Sequence, residues 1–146
     1  MALTQNIPAD VAATDLASVL TAVEAALWGA DLPKAMGLAA DAVGRGAGHP
    51  TLLGLAGLKH LYAGENHAAL PLLLRAREQT PRHVDLLNAL GECYSRLGRA
   101  REAVLNYERG LVLDPASPGV RYNLALAYLR AGNYRLGWRA YEGRFG

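Results

Sequence analysis

Apolar side chains recur along this chain in steps of three and four, broken at short intervals by glycine, proline or a polar pair. In the stretch from Val84, the residues Leu87, Leu90, Tyr94 and Leu97 follow one another at helical spacing, which predicts an amphipathic helix. Leu97-Gly98-Arg99 ends it, because glycine takes the left-handed conformation of a helix C-terminus without steric cost. Ala103, Tyr107 and Leu111 mark a second helix. Asp114-Pro115 stops that one, since proline disfavours a helical residue before it. The same reading predicts helices near 51–63 and 67–79, near 119–131 and 134–144, and a first pair near 15–29 and 32–44. Residues 1–14 read as an N-terminal tail, frayed over 1–8. Val and Ile are scattered and never alternate with period two, so no strand is expected.

The breaks and the small residues share one period. Gly64, Gly98 and Gly132 are 34 apart, and so are Pro81 and Pro115. Gly57, Gly91 and Ala125 step by 34, as do Ala69, Ala103 and Gly137, and Leu73, Tyr107 and Tyr141. The best unit reads Leu87-x-x-Leu90-Gly91-x-x-Tyr94, then Gly98, Ala103-x-x-x-Tyr107 and Pro115. It resembles the tetratricopeptide repeat, with Leu87 where tryptophan is common. The unit after it keeps Leu124-Ala125, Tyr128, Gly132, Tyr134 and Tyr141. The unit before it keeps Leu53, Gly57, Gly64, Ala69, Ala76 and Pro81, with His60 in the tyrosine column. A degenerate unit near 16–49 has Ala35, Ala39 and Ala42 in the small columns. The resemblance implies an all-α fold, a right-handed α-solenoid of about four stacked helix-turn-helix hairpins, with units at about 16–49, 50–83, 84–117 and 118–146 within a 15–146 domain. Gly91 and Ala103 are small because the two helices of a hairpin, A and B, cross closely there.

Composition narrows the chemistry. The chain has 146 residues, 51% hydrophobic, and can bury a core. No apolar run reaches the roughly 18 residues of a membrane span. The first eight residues lack the basic and apolar blocks of a secretory leader, so a cytoplasmic protein without membrane contact is expected. The single cysteine, Cys93, fits a reducing compartment and reads as a small core residue. His49, His60, His67 and His83 have no metal-ligand spacing. Gly44-Arg45-Gly46-Ala47-Gly48 follows no strand and reads as a connector rather than a phosphate loop. Neither a cofactor nor a catalytic constellation is expected. Net charge is +2, too small to argue for nucleic acid. Residues 81–146 nevertheless hold ten basic residues, all arginine, against six acidic ones, which leaves an RNA-binding helical repeat as a remote alternative.

What remains is surface. The repeat register places Leu58 and Tyr62, Asn88, Glu92 and Arg96, and Tyr122, Asn123, Leu126 and Arg130 on a concave wall of A helices. Tyrosine and arginine are enriched at binding hot spots. Asparagine can hold an extended backbone without reading its side chains. In related arrays attached to protein O-glycosyltransferases an asparagine ladder does this; Asn123 falls in that column and Asn88 one residue away. The expected function is therefore a non-catalytic module that binds a partner's helix or extended segment in its groove. The last helix carries Tyr134, Leu136, Trp138, Tyr141 and Phe145 with no later helix to cover them, which marks an interface. Its Gly137-Trp138-x-x-Tyr141-Glu142-x-Arg144 resembles the end of bacterial arrays that run into a flagellin-type glycosyltransferase domain, with Gly143 where an aromatic is usual. That implies an acceptor-recruiting arm. The alternative is a stand-alone adaptor that pairs with a second copy through this helix.

Overall fold

A computed structural model of the chain describes residues 9–142, with side chains described from residue 15. Eight helices and no strand occur among the described residues: α1 (Ala9–Trp28), α2 (Leu32–Gly44), α3 (Pro50–Tyr62), α4 (Asn66–Gln79), α5 (Val84–Arg96), α6 (Ala100–Leu113), α7 (Pro118–Arg130) and α8 (Tyr134–Glu142). They pair as four A–B hairpins. The one early departure from the sequence reading is α1, which begins at Ala9 rather than near residue 15. Residues 1–8 and 143–146 lie outside the described residues.

Local chemistry sets each turn. Gly64, Gly98 and Gly132 have φ near +80° (78°, 76° and 81°), and Ala30 holds the same column of the first hairpin with φ 55°. Each lets an amide three residues past the helix reach back five residues: Asp31 N to Ala26 O, Glu65 N to His60 O, Arg99 N to Tyr94 O and Asn133 N to Tyr128 O, at 2.8–2.9 Å. Ala30 is the position where the bend costs most, because its Cβ crowds the backbone in this conformation. At the other ends, proline opens α3 and α7 and stands in the first turn of α2, where its missing N–H leaves no intrahelical bond unmade. Asp31 accepts from Lys34 N at 3.1 Å. His49 and His83, one repeat apart, do the same with their rings: Nδ1 accepts from Thr51 N and from Leu86 N, both at 3.2 Å.

Packing explains the small columns. A Cβ on Gly57 would meet Leu73 Cδ2 at 2.6 Å, one on Gly91 would meet Tyr107 Cε1 at 2.3 Å, and one on Gly137 would meet Leu129 Cδ2 at 2.5 Å. These glycines let the B helix ride directly over the A helix. Buried apolar residues form two adjoining clusters. One joins Val23, Ala35 and Ala39 to Leu52 and Leu55; the other runs from Leu53 and Leu61 through Leu90 and Tyr107 to Leu124. Val43 and Leu58 touch both clusters. Each helix packs mainly on its neighbours in sequence. Beyond those, α3 meets α5 and α5 meets α7, so the A helices approach one another across hairpins. That places them on the inner wall of an all-α solenoid and the B helices outside.

Candidate binding groove

The wall of A helices holds a cleft of about 290 Å³ where α3 and α5 meet the end of α1. Leu27, Leu55, Leu58, Leu86 and Ala89 make it apolar, and Gly54 leaves it open: nothing lies within 4 Å of a Cβ placed there. Thr51, His83 and Asp85 supply polar atoms at its rim. Of the wall residues expected from the repeat register, Leu58 is half-buried and lines this cleft. Tyr62 stands exposed near the end of α3, 56% accessible. Leu126 is half-buried on α7.

The polar members of that set are brought together, but largely with one another. Asn123 Nδ2 donates to Asn88 Oδ1 at 2.9 Å. Arg96 pairs with Glu92 at 2.7 Å and donates to Leu61 O at 2.6 Å. Arg130 donates to Ser95 Oγ at 2.6 Å. Three of these bonds join residues 35 apart, one more than the repeat, and so tie α5 to α3 and α7 to α5. The apparent misstep of Asn88 against Asn123 is this offset: the helices are staggered by one residue at the seam. Arg96, Arg130 and the two asparagines thus hold the wall in shape. Tyr122 turns toward α8, its ring 6.3 Å from that of Tyr141.

Sequence reasoning missed Leu27, Gly54, Leu55, Leu86, Ala89 and Asp85. The close spacing of Leu52, Leu55 and Leu58, three apart on one face, carried a signal for an apolar wall. Nothing in the degenerate first unit pointed to Leu27.

At the far end of the array, Trp138 is 56% and Tyr134 65% accessible, and Leu136 is also exposed. Tyr141 is half-buried and meets Trp138 edge to face at 5.9 Å. Phe145 lies outside the described residues. Reactive chemistry is sparse. No cluster of three His, Cys, Asp or Glu able to hold a metal occurs among the described residues. Cys93 is buried, its Sγ directed at Asn66 O at 3.3 Å, and burial pushes the thiol up from its ordinary value. That suppresses the thiolate a nucleophile would need. Burial likewise raises the Tyr107 phenol. Tyr128 is pushed up to about 12 by burial and by its hydrogen bond to the Glu108 carboxylate. No helix among the described residues is long and apolar enough to cross a membrane.

A tetratricopeptide repeat model matches residues 55–118 and 94–136, together more than half of the chain. The chain belongs to the tetratricopeptide repeat family. Among curated proteins, cellulose synthase operon protein C of Escherichia coli strain K12 and its putative counterpart in strain O157:H7 are 41% identical to it over 61 residues. Those 61 residues are 42% of this chain and 5% of theirs, so the chain spans a small part of the relatives it matches. Among solved structures, MamA AMB-1 superposes with a TM-score of 0.71 at 20% identity, over 86% of this chain and 74% of MamA. YrrB, described as "a TPR protein with an unusual peptide-binding site", superposes with a TM-score of 0.72 at 19% identity, over 86% of this chain and 65% of YrrB. At that identity the likeness speaks for the fold. Tetratricopeptide arrays in general are non-catalytic modules for protein interaction.

Proposed function

We propose that this tetratricopeptide array binds an apolar helix or extended segment of a partner protein in the cleft between α1, α3 and α5. The observation that carries the reading is the cleft itself: five apolar side chains around the open flank of Gly54. Apolar recesses with a few polar atoms are where peptide side chains gain most from leaving water. Asp85 at the rim suits a lysine or arginine beside the buried residue. The arginines first expected to grip the partner are poor probes, since Arg96 and Arg130 stitch the A helices together. Gly54→Arg is a better one. It fills the cleft from a position with room for a side chain and replaces glycine by a good helix former. The immobilised chain and this variant are compared for proteins captured from native lysate, with melting curves run in parallel. The proposal expects lost partners at an undiminished melting temperature. An unchanged set of captured proteins would overturn it.

A narrower reading makes the array the acceptor-recruiting arm of a glycosyltransferase. The observation in its favour is the exposure of Trp138, within the Gly137-Trp138-x-x-Tyr141-Glu142 segment, and of Tyr134 one turn before it. Reading the gene past Gly146 tests it: an in-frame transferase sequence is expected, and a stop codon there removes the reading. The single buried thiol of Cys93 suits a reducing compartment such as the cytoplasm.

A further inference from the structure

The first turns of α3 and α5 make one end of the cleft: Pro50 and Thr51 come from the first, His83, Asp85 and Leu86 from the second and its cap. A histidine closes each turn. His49 Nδ1 accepts from Thr51 N and His83 Nδ1 from Leu86 N, both at 3.2 Å. A backbone amide can only donate, so each ring must hold a lone pair at Nδ1 and its proton at Nε2. That form is neutral. A second proton enters at Nδ1, takes the lone pair and sets a donor against a donor. It also places a positive charge at the positive end of the helix. The next A helix, α7, does not line the cleft; it has Ser117 in this column, with no side-chain bond to its first turn.

Three charged groups surround the rings. Arg75 of α4 reaches the connector before α3, its Nη2 3.7 Å from a Cβ placed on Gly48, and opposes a second positive charge at His49. Arg82 precedes His83 and opposes one there, while Asp85 lines the same rim and offers a carboxylate to the protonated ring. Leu27 of α1 and Thr80, past the end of α4, complete the rim without charge. All three charged side chains are exposed, so solvent screens their pull on the rings. The loss of the amide's acceptor is not screened. We propose that His49 and His83 are a proton-sensitive latch on the cleft. Neutral, they hold the first turns of α3 and α5 in the helix; protonated, they release both turns, and the cleft loses its end wall. Histidine changes charge between about pH 8 and pH 5, so the latch opens in mildly acid solution. The folded turns then bind fewer protons than the unfolded chain, so their stability is present at neutral pH and lost as pH falls. That a partner leaves when the latch opens rests on the groove reading; the latch itself is tested without a partner.

Long-range proton–nitrogen spectra of the histidine rings at neutral pH should show His49 and His83 as the Nε2–H tautomer. Amide-exchange protection over 51–54 and 84–87 should fall at least about fivefold, relative to the rest of the wall, between about pH 7.5 and about pH 5.5, the worth of one helix cap. His49→Asn together with His83→Asn supplies acceptors that do not titrate, and that protein should keep its protection at both pH values. His60→Gln together with His67→Gln should respond as the parent does, since His60 faces Glu65 at 3.3 Å and gains an interaction on protonation. The tautomer and the parent's own response decide the matter even if a variant fails to fold. A proton on Nδ1 of either ring at neutral pH, protection unchanged at about pH 5.5, or the same fall in the double asparagine variant would overturn the proposal. If the latch behaves as expected while Gly54→Arg still captures every partner, the groove reading fails and the latch stands.

Discussion

Adding one methyl group to each of two neighbouring A helices should have opposite consequences. Both Gly54 and Gly91 lie inside helices, so Gly→Ala gains about 0.8–1.0 kcal/mol of helix propensity at either site. At Gly54 nothing opposes that gain, because a Cβ there has no neighbour within 4 Å. At Gly91 the new Cβ would lie 2.3 Å from Tyr107 Cε1 and 2.6 Å from Cδ1 and Cζ. Ordinary carbon contacts are near 3.5–4.0 Å, so the ring must retreat by more than about 1 Å. Tyr107 is buried and cannot swing into solvent, so α6 must shift with it, at the roughly 1–3 kcal/mol that overpacking costs. The propensity gain cancels between the two variants. Gly54→Ala should therefore exceed Gly91→Ala in stability by about 1–3 kcal/mol, or roughly 2–4 °C in melting temperature per kcal/mol. Urea titrations followed by circular dichroism measure the difference. In a Tyr107→Leu background the penalty at Gly91 should shrink, since the methyl group then enters space the ring has left. Two results would refute the reasoning: a Gly91→Ala protein as stable as Gly54→Ala, or a penalty indifferent to the Tyr107 change.

Ala30→Gly should raise stability by about 1 kcal/mol, because the alanine at φ 55° stands where the later turns have glycine; the urea midpoint reports it, and a drop would contradict the turn. His83→Ala should cost about 1 kcal/mol by removing the acceptor for Leu86 N, and His83→Asn should recover most of it in the same titration. Alkali should destabilise the fold. Cys93, Tyr107 and Tyr128 all have folded-state values above their ordinary 9 and 10, so each favours folding while neutral. That contribution is complete below about pH 9 and is lost as pH rises through 10 toward 12, where Tyr128 itself ionises. Denaturation midpoints at about pH 8 and about pH 11 should differ accordingly, and Glu108→Gln should lessen the fall by removing the carboxylate bonded to Tyr128.

Sequence alone determined the hairpins. Their causes are local or separated by a fixed short distance: glycine at the bend, proline at the start, a small residue where two helices cross. Because each hairpin touches only its neighbours, those causes repeat every 34 residues and can be read without knowing the fold. The placing of glycine against an aromatic, as at Gly91 and Tyr107, belongs to this legible part. Which wall residues are free to meet a partner was decided only by tertiary structure. The stagger between adjacent A helices is a sum of packing angles over several contacts. It shifts the cross-helix partners to 35, joins Asn123 to Asn88 and engages Arg96 and Arg130 inside the wall. It also brings Leu27, from the unit least like the repeat, beside Leu55, Leu58 and Leu86. A period along the chain states which residues are equivalent; the angle at which helices stack determines which of them meet.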